Sequence, residues 1–145
     1  MENKVLLGGT CNNSTWRDKL IPYLKVNYFN PVVENWDNFS QAIEEIEKNE
    51  KCNIHLYVIT SEMVGVFSIA EAVVSAHIKN KYTVFTFIPD GFTEAQRKSL
   101  IATGGLILGV GGITWKFKGF DDLADLLNTI TTREGIIDKW NKGIL

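Results

Sequence analysis

A chain of 145 residues with a formal net charge of -2 lacks the basic field that holds a nucleic-acid polymer or an anionic membrane, so small molecules are its expected partners. Hydrophobic residues at 45% and charged residues at 22% argue against disorder or low complexity and supply a core for one expected domain, residues 1–145. Cys11 and Cys52 have neither CxxC spacing nor the density of a disulfide framework, which argues against a secreted scaffold and a Cys/His zinc site.

The opening segment MENKVLLGGT turns to glycine after three apolar residues, too short for a signal-peptide core, and no apolar run approaches a membrane span. A cytoplasmic protein is expected. The first predicted strand is Lys4 to Gly8, followed by a helix over Ser14 to Leu24 in which Pro22 should kink or end the helical run. Between them lies GGTCNNSTWR. Gly8 and Gly9 permit positive φ and close backbone approach, and Thr10, Asn12, Asn13 and Ser14 bring hydroxyl and amide groups near a helix start. Such a loop suits a sugar or phosphate; it serves equally as a turn with Asn13 or Ser14 as the helix cap.

A second strand is predicted over Val26 to Phe29, ending at Asn30, whose amide could meet a ligand hydroxyl or make a turn before Pro31. The second helix, Phe39 to Asn49, has Asn38 or Ser40 as its cap and Ala42, Ile43 and Ile46 as an apolar stripe. Strand three, Ile54 to Ile59, is apolar almost throughout, as expected when helices cover both faces of a sheet. A third helix follows over Ser68 to Lys79, then a strand over Thr83 to Ile88. Thr93 and Gln96 have capping-box spacing at the head of a helix running to Ala102. Gly105 to Leu108 is predicted as the fifth strand and Phe120 to Ile130 as the fifth helix.

This alternation predicts an α/β, three-layer flavodoxin-like (Rossmann-like) domain with a five-stranded parallel sheet in the order 2-1-3-4-5. In that order the chain reverses direction between strands one and three, and ligands bind outside the carboxyl ends of strands at that point. The two loops that meet there are Gly8 to Arg17 and Thr60 to Ser68. The second loop delivers Glu71 about one turn into a helix. No basic residue lies within five positions of Glu71, and its neighbours Phe67, Ser68, Val74 and Ser75 offer hydroxyls but no cation. Helix dipoles favour its ionised form while apolar surroundings oppose it, a combination that suits a nucleophile or a stabiliser of an oxocarbenium-like centre. The competing reading is a rim carboxylate capping amides or paired with a distant Arg17 or Lys.

Two stretches, VLLGGTCNNSTWRDKLIPYL followed by YFNPVV and LYVITSEMVGVFSIAEAVVSA followed by KYTVF, resemble the nucleoside 2-deoxyribosyltransferase-like proteins. The resemblance runs in order from the start of the chain through the fourth strand. It implies cleavage of an N-glycosidic bond by glutamate attack on the anomeric carbon, with Glu71 of SIAEA as nucleophile. It also implies a covalent glycosyl-enzyme that passes its sugar to another base or to water. Ser68 falls where relatives contact the sugar or its 5′ end, and Gly8, Gly9 and Thr10 fall in the sugar-side loop. Relatives carry an aspartate shortly before the nucleophile; here that stretch is EMVGVFS, with Gly65 near the point in question. Asn53 stands before strand three where relatives often carry Asp, and the tyrosine found early in some relatives has no counterpart beside Gly8.

The expected ligand is therefore a nucleoside or nucleotide, with Gly8, Gly9, Thr10, Asn12, Asn30, Trp36, Gly65 and Ser68 as binding residues. Trp16, Phe29, Trp36 and Phe67 are candidates to stack on a base, Trp36 the best of them because its surroundings are polar. No cofactor or metal is expected: GVGGITWKF lacks the features of a dinucleotide fingerprint, and His55 and His77 are not spaced as a ligand pair. A TIR-like hydrolase of NAD and a non-catalytic nucleotide-sensing module remain as alternatives. The tail REGIIDKWNKGIL has apolar groups, Ile136 to Leu145, that could cover the domain or join a homo-oligomer.

Overall fold

A computed structural model describes residues 2–11 and 13–132. Strands β1 (Lys4–Gly9), β2 (Asn27–Phe29), β3 (Ile54–Ile59), β4 (Tyr82–Phe87) and β5 (Ile113–Thr114) alternate with helices α1 (Trp16–Leu20), α2 (Asn38–Ile46), α3 (Phe67–Ala76), α4 (Glu94–Gly109) and α5 (Phe120–Thr129). The strands form one parallel sheet in the order β2-β1-β3-β4-β5, flanked by helices as a three-layer flavodoxin-like fold. Among the described residues no helix is long and apolar enough to cross a membrane.

Strand alternation sorts the core into two layers. Ile54, Leu56 and Val58 of β3 pack with Val5 and Leu7 of β1 against Trp16, Leu20 and the apolar side of α5. Tyr57 and Ile59 turn to the other face, with Phe85, Phe87, Ala72, Ala76, Leu100 and Ile107, beneath α3 and α4. Every residue of β3 is buried, so its near-continuous apolar run is explained by helices on both sides.

Several boundaries follow local chemistry. Pro22 converts the end of α1 into a 3-10 turn, Ile21–Tyr23. The Thr93/Gln96 capping box is present: Thr93 Oγ1 accepts from the Gln96 amide at 3.1 Å and Gln96 Oε1 from the Thr93 amide at 2.8 Å. Other boundaries correct the sequence reading. The α2 cap is Asp37, which accepts from the Ser40 amide at 2.8 Å, rather than Asn38 or Ser40. At α1 the cap position falls to Thr15, without a side-chain bond, and neither Asn13 nor Ser14 caps it.

The largest correction concerns Gly105 to Leu108, which is helix and not strand five. Propagation from the capping box carries α4 on to Gly109, burying Leu100, Gly104 and Ile107 at helical spacing. Gly111, at φ 103°, then turns the chain, the Gly112 amide bonds the Ile107 carbonyl at 2.8 Å, and β5 begins only at Ile113. The apolar stripe predicted for α2 is not buried either. That helix buries none of its residues, and Phe39, Ile43 and Ile46 are exposed while its polar side faces a cavity.

Candidate active site

β1 and β3 lie side by side with Gly8 opposite Tyr57 and Gly9 opposite Val58. The close approach requires glycine: a Cβ on Gly8 would lie 2.9 Å from the Tyr57 ring and 3.0 Å from the Leu56 carbonyl. Gly9 has φ 117°, and a Cβ there would meet the Val58 backbone. Beyond these strand ends the chain is anchored by buried Arg17. Its guanidinium donates to the carbonyls of Leu7 at 2.9 Å and Thr10 at 2.7 Å, and Trp16 Nε1 donates to the same Thr10 carbonyl at 2.9 Å. Thr10 Oγ1 in turn accepts from the Thr60 amide at 2.9 Å, tying together the two loops at the switch point.

Outside the carboxyl ends of β1 and β3 opens a cavity of about 370 Å³, within the range of small-ligand sites. Gly8, Gly9 and Arg17 line its floor side, Pro31, Val32, Val33 and Trp36 come from the segment after β2, Gln41, Glu44 and Glu45 from α2, and Phe67, Ser68 and Glu71 from α3. Thus Gly8, Gly9, Trp36, Ser68 and Glu71 are brought together. Thr10 and Gly65 line a smaller adjoining hollow of about 180 Å³ that shares Gly9, Phe67 and Ser68. Asn30 is not on the cavity wall: it is exposed, and its Oδ1 accepts from the Val32 amide at 3.2 Å, closing an Asx turn. Asn12 lies outside the described residues, as does the Ile136 to Leu145 tail.

The aromatic candidates divide. Trp16 is in the core and Phe29 is off the cavity wall, whereas Trp36 and Phe67 line the cavity and are 55% and 73% exposed, leaving ring faces available for stacking. Asn53 is at the amino end of β3, where it accepts from the Lys4 amide at 2.9 Å and donates to Asn3 at 2.8 Å. It secures the strand ends opposite the cavity.

Glu71 is not alone. A π-helical turn, Glu47–Lys51, prolongs α2 and brings Lys48 Nζ to 3.5 Å from Glu71 Oε2 and 2.9 Å from Glu45 Oε1. Burial raises the Glu71 carboxyl above its ordinary range, and Lys48 pulls it back. The Glu44 carboxyl makes no hydrogen bond or ion pair among the described residues. Burial first, and the neighbouring Glu71 charge second, push its carboxyl up to about 7. Tyr57 is 1% exposed and its hydroxyl makes no hydrogen bond among the described residues, yet the side chain lines both this cavity and a neighbouring one of about 310 Å³.

A buried polar chain sets the Lys48 turn. The Lys48 carbonyl can only accept, so His55 Nε2 must donate to it at 2.8 Å. Burial pulls His55 down to about 4, so the ring is neutral, its Nδ1 accepts from Ser75 Oγ at 2.8 Å, and Ser75 Oγ accepts in turn from Thr83 Oγ1 at 2.7 Å. Among the described residues no group of three or more His, Cys, Asp or Glu is placed to hold a metal ion.

Glu44, Lys48 and Tyr57 are absent from the sequence-level site. Gln41, Glu44, Glu45 and Lys48 share one face of a helix by spacing, but such a face ordinarily meets water. The signal that could have found Tyr57 is a lone polar tip inside an otherwise buried strand.

The strand order and flanking helices define an α/β protein of flavodoxin-like fold, with a candidate small-molecule site where the crevice and the helix-borne carboxylate meet. The profile of the family described as nucleoside 2-deoxyribosyltransferase like matches residues 2–90, and the chain belongs to that family. This supports a role in nucleoside-related glycosyl transfer. No curated protein and no solved structure gives a significant match.

Proposed function

We propose that this protein is an enzyme that cleaves the N-glycosidic bond of a nucleoside or nucleotide, with Glu71 as nucleophile. A Glu71 oxygen bonds to C1′ as the C1′–N bond breaks, its electron pair leaving with the base. The glycosyl-glutamate then passes its sugar to a second base, or to water, and the carboxylate is regenerated. The observation that carries this reading is Glu71 on the wall of a cavity of about 370 Å³ at the switch point, lined also by Ser68 and by the exposed side chains of Trp36 and Phe67. Lys48 supports it by holding a partly buried carboxylate in the ionised, nucleophilic form.

The test is incubation with deoxynucleosides, deoxynucleoside monophosphates and NAD, reading free base and the intact mass of the protein. Base release with a sugar adduct on Glu71, both lost in Glu71→Ala, is the expected result. Undiminished turnover by Glu71→Ala overturns the assignment. Nicotinamide as the released base selects an NAD hydrolase instead, and binding without release selects a sensing module.

A further inference from the structure

We propose that Glu44 is the acid that protonates the departing base and the base that takes the proton back from the acceptor. The proposal rests on the reading of Glu71 as nucleophile. Gly65 has no side chain to handle a base, whereas Glu44, from a different helix than Glu71, lines the same cavity as Glu71.

Three carboxyls line the cavity, and their partners separate them. Glu71 and Glu45 share Lys48, at 3.5 and 2.9 Å. Glu44, on the same face of α2 one turn before Lys48, is half-buried, and its carboxyl has neither a hydrogen bond nor an ion pair among the described residues. The groups whose charges bear on it come from three elements: Glu71 from α3, Lys48 and Glu45 from α2 and its continuation, and Arg17 from α1. The carboxylates and burial outweigh the two cations, so the side chain keeps its proton to about pH 7. One carboxyl neutral and one ionised in the same cavity is the division of labour that glycosidic cleavage needs.

In the first step the Glu44 proton moves to a ring nitrogen of the base as the C1′–N electron pair arrives there, leaving Glu44 ionised. In the second step Glu44 accepts a proton from water or from the N–H of the incoming base. The new bond to C1′ forms as the C1′–O bond to Glu71 breaks, its electrons returning to that carboxylate. Such an acid serves neutral nucleosides, whose base would otherwise depart as an anion. Nicotinamide leaves NAD as a neutral molecule and needs no proton, so the assignment favours ordinary nucleosides over NAD as substrates.

The experiment compares native protein, Glu44→Gln and Glu44→Asp on two probes. One is whichever of the four 2′-deoxynucleosides the native protein cleaves fastest; the other is 4-nitrophenyl 2-deoxyriboside, whose phenolate leaves unprotonated. Glu44→Gln should slow nucleoside cleavage by about 10²-fold or more, change nitrophenolate release less than about threefold, and abolish the loss of nucleoside rate above about pH 7. Glu44→Asp should restore part of the nucleoside rate. An equal loss on both probes, or no loss on either, overturns the role of Glu44 while leaving Glu71 as nucleophile. Failure of the native protein on both probes overturns the Glu71 reading, and the Glu44 role with it.

Discussion

Lys48 and Glu71, 23 positions apart in the chain, face each other across 3.5 Å with 17% of each side chain exposed. The pair sets a balance in which burial disfavours the Glu71 carboxylate and Lys48 restores it. Removing the cation should therefore move Glu71 further up. In Lys48→Met the acidic limb of base release should shift to higher pH, lowering kcat/KM severalfold on that limb and much less on the plateau above it. A pH–rate profile checks this; a parallel fall at all pH values would assign Lys48 to packing alone.

The Tyr57 hydroxyl gives an opposite expectation for stability and for binding. A buried hydroxyl with no partner costs free energy in the folded state, so Tyr57→Phe should leave the unliganded protein as stable or raise its stability by up to about 1 kcal/mol. If a ligand group meets that hydroxyl, the same change should raise nucleoside KM severalfold. Thermal melts without ligand, set beside steady-state kinetics, separate the two effects.

Gly8 and the Tyr57 ring are fitted to one another. A methyl group at Gly8 would sit 2.9 Å from the ring, so Gly8→Ala should cost about 1–3 kcal/mol in urea unfolding. Part of that loss should return when Tyr57 is also made Leu, because the clash is with the ring and the two sites are in contact. Gly9→Ala should cost more and gain nothing from Tyr57→Leu, since it is opposed by the Val58 backbone and by its own positive φ.

His55 should mark the acid side of the stability profile. Its folded pKa is depressed to about 4, so the unfolded chain binds more protons between about pH 6.5 and 4. The stability this contributes is fully present above pH 6.5 and is lost as pH falls through the folded value. Because the side chain is fully buried, the loss is on the order of 3 kcal/mol. His55→Gln should be less stable at pH 8 by about 1–3 kcal/mol, through broken hydrogen bonds, and should draw level with the native protein or pass it as pH falls from about 6.5 to about 4. Chemical denaturation at a series of pH values measures both curves; a constant gap would show that His55 does not titrate in this range.

The fold and the loops flanking the cavity were legible because their causes are local. Apolar runs, the Thr93/Gln96 box, Pro22 and the glycine pair each act on neighbours a few residues away. The misplacement of strand five has a local cause too. GGLIL is too short to distinguish strand from helix by periodicity, and the capping box upstream decided in favour of α4. The α2 stripe failed for another reason: amphipathicity tells which side is apolar, not which side meets the protein.

By itself the sequence determined the βα alternation, the strand order, the glycines at the end of β1 and a carboxylate entering the crevice from the head of α3. All of these follow from residue order and from the right-handed connection of parallel strands. Only the tertiary structure decided what surrounds that carboxylate. It set Lys48 beside Glu71 through a π-helical turn bonded to His55, placed Glu44 in the same cavity without a partner, laid Tyr57 against Gly8, and left Asn30 in a turn of its own. The reason is distance in the chain. Charge and burial act through space, and the charged groups that tune Glu71, Lys48 and Glu45, come from α2 and the turn that prolongs it, which sequence spacing around Glu71 does not report.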